Sequence, residues 1–298
     1  MKTTISIVTH NRLALTKICL CSLLEKTRGE YSVIIVDNAS KDGTQAYIEH
    51  LARTDPRVEA FCLNSNMGVA VAANFGWARG DSEHYVKLDN DIEIRDGDWL
   101  ERLVSTAERN ADVAMVSYLL DDWKCSIEHV KLSSSQSFLS SCLCNGGCVL
   151  IPRHIHERLG FWVEDHGRYG YEDKNYSDRA IAAGYLVGYL PVNPPPVVHL
   201  GFVEGHIDED REQKKKNNIK DKHLGEPLYV FNKLLFDQGV RKPYVERRYL
   251  PECVDGKIRF KPNPAYIPIV KIHDQFLDKI RYQEQKEGIS VDFSQLLS

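Results

Sequence analysis

Residues 85–94 read YVKLDNDIEI. A strand-like run, Tyr85 to Leu88, ends in two carboxylates, Asp89 and Asp91, with Asn90 between them. Carboxylates are costly inside a core unless they are paired. Their place at a strand end therefore raises the question of what stands at the ends of the other strands. Residues 5–8 and 33–36 are short β-branched runs, and Leu13, Ile18, Cys21 and Leu24 recur between them at helical spacing, with Asn11 as the expected N-cap. That is a β-α-β unit. Asp42 followed by Gln45 has the pattern of a capping box and opens a second helix through Ile48 and Leu51. A third strand is expected over residues 58–63, and a small-residue helix over 68–78 that packs closely on its neighbour. A further helix is expected around Trp99, Leu103, Val104 and Ala107, then a strand over 113–118.

Strands alternating with helices predict an α/β fold: a Rossmann-like, mostly parallel sheet flanked by helices. Ligands bind such sheets outside the carboxyl ends of the strands. Asp37, Asn64 with Asn66, and Asp89 with Asp91 each follow a strand and are expected on that one edge. Beyond residue 120 the pattern loosens. KLSSSQSFLSS (131–141) is expected as a loop or edge hairpin, NGGCVLIP (145–152) as a strand returning to the sheet, and Gly184 as the end of a helix through 179–183. Residues 204–223 are very polar and are expected to form a mobile surface segment or lid; residues 269–280 are amphipathic. Residues 1–202 are taken as the catalytic domain and 203–298 as a C-terminal lid or acceptor-side helical extension.

The balance of the chain narrows the classes. With 43% hydrophobic and 27% charged residues it has ample material for a large core. A net charge of −4 gives no reason to expect nucleic acid or an anionic membrane as the main partner. There is no apolar run of transmembrane length and no leader-like start, so a cytoplasmic protein is expected, with peripheral attachment at the inner face of the membrane left open. Eight cysteines in a chain of this length do not suggest a secreted disulfide scaffold, and Cys142, Cys144 and Cys148 lack a second pair at zinc-finger spacing.

Four constellations can carry chemistry. Side chains two apart on an extended chain point the same way, so Asp89 and Asp91 can face one cation. A hard divalent ion, Mg²⁺ or Mn²⁺, suits oxygen ligands and substrate phosphates. Taken alone, two acids two apart are more often a solvated turn. His199 closes the strand-like PVVHL and can add a third ligand; alone, it is more often structural. Glu172 and Asp173, in YGYEDKNYSDRA, can supply a general base beside aromatic rings that suit sugar faces, or simply the favoured acids of a helix N-terminus. Gly68, in NMGVAVAANFG, permits close backbone approach to a phosphate or tight helix-on-sheet packing.

In order and spacing, ISIVTHNR, VDNASKDGT, NMGVAVAANFG, VKLDNDIEI, NGGCVLIPR, YGYEDKNYSDRAIAAGY and VVHLG resemble the family 2 glycosyltransferases, which have the GT-A fold. The resemblance implies inverting transfer of a hexosyl or N-acetylhexosaminyl group from a nucleotide diphosphate sugar to a hydroxyl. A UDP-sugar is the expected donor, with dTDP- and GDP-linked sugars as alternatives. The acceptor is a glycan, a lipid-linked oligosaccharide or a protein, in a surface glycan or polysaccharide pathway. It further implies that Asp37 contacts the nucleoside base and that Thr9, His10, Asn11, Asn66, Gly68 and Asn74 line the nucleotide pocket. Asp89 and Asn90 lie by the ribose or sugar, Asp91 and His199 hold Mn²⁺ or Mg²⁺, Asp173 is the base, and Glu172 binds hydroxyls. The first loop departs from the family pattern in having Thr9 and His10 where a proline is common. A nucleotidyltransferase that forms a sugar nucleotide is the rival reading, disfavoured because THNRLALT has no glycine to hold a triphosphate. A non-catalytic sugar-nucleotide-binding module is the second.

Overall fold

The computed structural model describes residues 2–120, 126–202, 225–226, 228–237, 239, 241–254 and 257–266. The first half runs β1 (Thr3–Thr9), α1 (Leu13–Lys26), β2 (Tyr31–Asp37), α2 (Thr44–Thr54), β3 (Val58–Cys62), α3 (Val69–Arg79), β4 (His84–Asp89), β5 (Ile92–Ile94), α4 (Trp99–Arg109) and β6 (Val113–Tyr118). It continues as β7 (Ile127–Lys131), β8 (Ser137–Ser141), β9 (Cys148–Pro152), α5 (Arg153–Leu159), α6 (Glu172–Ala182), β10 (Leu186–Leu190), β11 (Val197–His199), β12 (Tyr249–Val254) and β13 (Lys257–Pro262). Residues 228–237 are also helical.

Nine strands form the central sheet in the order β3-β2-β1-β4-β9-β6-β10-β8-β7. Only β9 and β8 run against the rest; β1, β2, β3 and β4 pair in parallel, as do β6 and β10. The polar 131–141 stretch is the expected edge hairpin, completed by β7 and β8. The core on one face is built from α1, α4 and the strands, with Leu20, Leu23, Trp99 and Leu103 buried among Ile5, Ile7, Val33 and Ile35. On the other face α3 buries every residue from Ala70 to Trp77. Its closeness depends on Gly76, where a Cβ would lie 2.2 Å from Ser6 Oγ.

Three local readings need correction. The N-cap of α1 is Arg12, not Asn11; Arg12 is in the left-handed region (φ 67°), and the first helical N–H, that of Leu13, is held by Asp42 Oδ2 at 2.8 Å. Gln45 does not close a capping box; its amide donates to Asp37 Oδ2 at 2.9 Å. The extension after 202 is not only helical, because β12 and β13 form an antiparallel hairpin that meets the β3 edge through Leu63, Ile258 and a Phe75–Phe260 ring contact. The expected lid over 204–223 and the amphipathic stretch 269–280 lie outside the described residues.

Candidate active site

The carboxyl ends of β1, β2 and β4 share one edge, and the acids of the opening stretch stand there. Asp89 ends β4, and Asp91 lies in the turn to β5, 1% exposed. β5 pairs antiparallel with β11, opposing Ile92 to His199, so a residue remote in sequence arrives beside Asp91. One ligand atom each from Asp89, Asp91 and His199 lies within 4.8 Å of the others. Two carboxylates and an imidazole are a fitting donor set for a hard or borderline divalent ion. Nδ1 of His199 accepts from the Gly201 N–H at 3.1 Å, which leaves the imidazole proton on Nε2, 3.5 Å from Asp91 Oδ1. Ligation through Nε2 requires the other tautomer.

The second acidic pair opens α6. Tyr171, left-handed at φ 66°, caps the helix, and Glu172 and Asp173 occupy its first turn, where the helix dipole favours negative charge. Glu172 is buried, and burial, reinforced by the Asp173 charge and opposed by Lys87, pushes its carboxyl up to about 7. Asp173 accepts from the Gly146 N–H at 3.1 Å and from the Lys174 N–H at 2.7 Å.

Lys87 joins the two pairs. It lies inside β4 at 3% exposure, and its Nζ donates to Asp89 Oδ1 at 2.7 Å and to the Gly146 carbonyl at 2.8 Å. The Gly146 backbone therefore accepts from Lys87 at its carbonyl and donates to Asp173 from its N–H. Burial alone would lower the Lys87 amine; Asp89, Glu172 and Asp173 more than offset it and hold the amine above the ordinary lysine range. Tyr169 sits within the electrostatic reach of all four acids; burial first, then Asp89, Glu172, Asp91 and Asp173, pushes its phenol up. The two acidic pairs are thus linked through Lys87 and Gly146.

The residues expected around a nucleotide divide into two groups. His10 is exposed, with Nδ1 2.6 Å from the Asn38 carbonyl oxygen. Asn11 is left-handed (φ 55°) and its side chain accepts from the Lys41 N–H at 2.9 Å. Asn66 accepts from the Gly68 N–H at 2.9 Å, and Gly68 has a φ of 90° against the backbone of Arg168. These line the strand-end loops. Four others turn inward. Asn90 is buried and donates to the buried Thr16 hydroxyl at 2.9 Å. Asp37 is fully buried and accepts from Thr9, from the Ser40 N–H, from Gln45 and from the Ser40 hydroxyl; Thr9 is buried with it. These bonds tie the β1, β2 and α2 ends together at Asp37. Asn74 is fully buried, donating to the Trp162 carbonyl and Glu164 and accepting from the Trp162 N–H. Asn74 thereby anchors the loop through Trp162 and Glu164.

That anchor belongs to a set the sequence reading missed. Glu164 accepts from Asn74 and from the N–H groups of Arg248 and Tyr249. Asp165 pairs with Arg241 and Arg248 and accepts from Tyr266 at 2.8 Å. The loop that carries Tyr169 and leads into the acid pair is therefore fastened by residues beyond 240. Arg12, also missed, pairs with Asp91 Oδ2 at 2.9 Å. Lys87 had a visible signal, a lysine inside an otherwise apolar strand; the Arg12 and Glu164 contacts are non-local and had none.

The model of the family described as Glycosyl transferase family 2 matches residues 4–142. A segment of 94 residues is 35% identical to the undecaprenyl-phosphate 4-deoxy-4-formamido-L-arabinose transferase of Proteus mirabilis, covering 31% of this chain and 28% of that protein. The chain spans between 28% and 39% of the length of the curated relatives it matches. Among solved structures, the mannosyltransferase PcManGT from Pyrobaculum calidifontis, in complex with GDP-Man and Mn²⁺, is similar with a TM-score of 0.55 and 18% identity, over 99% of this chain and 78% of that one. GalNAc-T7 with UDP, GalNAc and Mn²⁺ is similar with a TM-score of 0.58 and 14% identity, over 82% of this chain and 52% of that one. Residues 4–142 are thus similar to glycosyl transferase family 2, and the fold is that of the GT-A glycosyltransferases.

Proposed function

We propose that this protein is a metal-dependent, inverting glycosyltransferase that moves a sugar from a nucleoside diphosphate to a hydroxyl acceptor. The observation that carries the reading is the hydrogen-bonded path from Asp89 through Lys87 and Gly146 to Asp173. It supports a reading in which the cation ligands and the proton acceptor serve one reaction. The names of the curated relatives, all glycosyltransferases or sugar transferases, support the reaction class.

Asp91 would hold a Mn²⁺ or Mg²⁺ ion with Asp89 and His199 beside it, supplying Lewis-acid neutralisation of the charge that builds on the departing diphosphate. Asp173 accepts the proton of the acceptor hydroxyl as that oxygen bonds to the anomeric carbon. The bond from this carbon to the diphosphate oxygen breaks on the opposite face, which inverts the configuration. General-base assistance of this kind contributes about 10²–10⁴-fold. Glu172, with its carboxyl near 7, retains its proton over part of the working range and donates to a sugar hydroxyl. Lys87 holds the four acids together before any cation enters. The loops carrying His10, Asn11, Asn66 and Gly68 border the donor.

A UDP-sugar is the donor we favour, and a surface glycan the destination of the sugar. Among the described residues no helix is long and apolar enough to cross a membrane. The test is a thermal-shift panel of UDP-, dTDP- and GDP-linked sugars with and without Mn²⁺. A ligand at about 100 times its Kd adds about 2.7 kcal/mol of apparent stability, so one nucleotide class should raise Tm by several degrees, and only with Mn²⁺. A panel in which no sugar nucleotide moves Tm under either condition would overturn the reading.

A further inference from the structure

The Arg12 guanidinium faces the carboxylate that the proposed reading assigns to a metal ion, with Nη1 2.9 Å from Asp91 Oδ2. The other Asp91 oxygen faces the protonated Nε2 of His199 at 3.5 Å. Its companion Asp89 is paired with Lys87. Among the described residues, Asp91 is thus already matched by Arg12 and Asp89 by Lys87.

The placement of Arg12 is held from several sides. Asn11 and Arg12 are consecutive left-handed residues, with φ of 55° and 67°, a conformation that L-residues other than Gly, Asn and Asp avoid. It persists because the Asn11 N–H donates to Ser40 Oγ, Asn11 Oδ1 accepts from the Lys41 N–H, and the Leu13 N–H donates to Asp42. These contacts make α1 begin one residue late and direct the Arg12 side chain, 12% exposed, at Asp91.

We propose that Arg12 is an internal counter-cation for Asp91, which keeps a bare divalent ion weakly bound until a nucleoside diphosphate arrives. This rests on the metal reading of Asp89, Asp91 and His199. A dication entering a site whose carboxylates are already neutralised must displace a guanidinium and gains little net attraction. A diphosphate supplies new negative charge to the ion and a new partner to the displaced guanidinium. Cation and nucleotide then bind with positive coupling, and part of that coupling is carried by Arg12.

The test titrates Mn²⁺ into the whole protein, following free Mn²⁺ by electron paramagnetic resonance, with and without UDP. Wild type should bind Mn²⁺ weakly alone and markedly more tightly with UDP. Arg12→Gln should bind Mn²⁺ alone on the order of tenfold more tightly than wild type, and its gain from UDP should shrink accordingly. Arg12→Lys, which keeps the charge, should stay near wild type. If Arg12→Gln is too unstable in chelator to titrate, the rise in its Tm on adding Mn²⁺ alone should exceed that of wild type. Mn²⁺ affinity of Arg12→Gln equal to or weaker than wild type, while UDP still tightens Mn²⁺ in both, overturns the counter-cation role and leaves the metal reading standing. No Mn²⁺ binding by either protein, with or without UDP, overturns both.

Discussion

Replacing Lys87 by Met removes a charge from between the two acidic pairs and leaves a side chain of similar reach. Two bonds from a charged donor are lost, at 2.7 Å to Asp89 and 2.8 Å to Gly146. Bonds of this kind are worth about 1.5–3 kcal/mol each, and breaking a buried pair costs about 3–5 kcal/mol. The Asp89 side chain is 38% exposed and regains water, so the lower end applies, about 3 kcal/mol. For a chain of this size that lowers Tm by about 5 °C. The pH dependence separates electrostatics from packing. Glu172 already has a folded-state value near 7 against an ordinary 4.5, and losing the Lys87 charge raises it further. A raised carboxyl costs stability only where it must ionise, so the loss in Lys87→Met should be about 3 kcal/mol near pH 5.5, from the bonds, and larger near pH 8. Denaturant unfolding at both pH values measures it. A loss of the same size at pH 5.5 and pH 8, or one below about 1 kcal/mol at pH 8, would refute the electrostatic account of Lys87.

Asp173→Asn should reduce transfer by about 10²–10⁴-fold while donor affinity, measured by calorimetry, stays within a few-fold of wild type; weak donor binding would count against the base assignment. Wild-type stability should fall as pH rises from about 4.5 to about 7, because folded Glu172 and Glu164 both hold their protons above the value of the unfolded chain. Glu172→Gln should remove its share of that slope and gain on wild type at pH 8; unchanged slopes would place the titration elsewhere. Gly68→Ala puts a Cβ 2.9 Å from Arg168 Cα at a φ of 90°. It should cost about 1–3 kcal/mol and weaken the bond from the Val69 N–H to the Arg168 carbonyl, and a melting temperature at or above wild type would show that the turn tolerates a side chain.

The β-α-β alternation and both acidic pairs were legible because each is a local signal. Periodicity marks β1, α1, β2 and β4, and two acids at a strand end are visible without a partner. What was not legible depends on pairing across the fold. His199 meets Asp91 only through the register of β5 with β11, and nothing in PVVHL announces that register. Asn74 is a lone polar residue within a small apolar helix; that it faces Trp162 and Glu164 is decided by a loop far along the chain. Arg12 in place of Asn11 at the head of α1 follows from Asp42 holding the Leu13 N–H, a bond between two loops that propensity cannot anticipate. α5 and β10 were missed because they are short and carry weak periodicity. Asp37 was found as a residue at the end of β2, but its burial among Thr9, Ser40 and Gln45 came from tertiary packing.

The central claim is that one acidic pair grips a cation with its sugar nucleotide while the other draws a proton from the acceptor. The most direct measurement is the affinity of UDP for wild type and for Asp91→Ala, by calorimetry, with Mn²⁺ and with chelator. The account predicts that Mn²⁺ tightens UDP binding to wild type at least about tenfold, a difference of about 1.4 kcal/mol, and has no such effect on Asp91→Ala. An equal Mn²⁺-dependent gain in both proteins would contradict it.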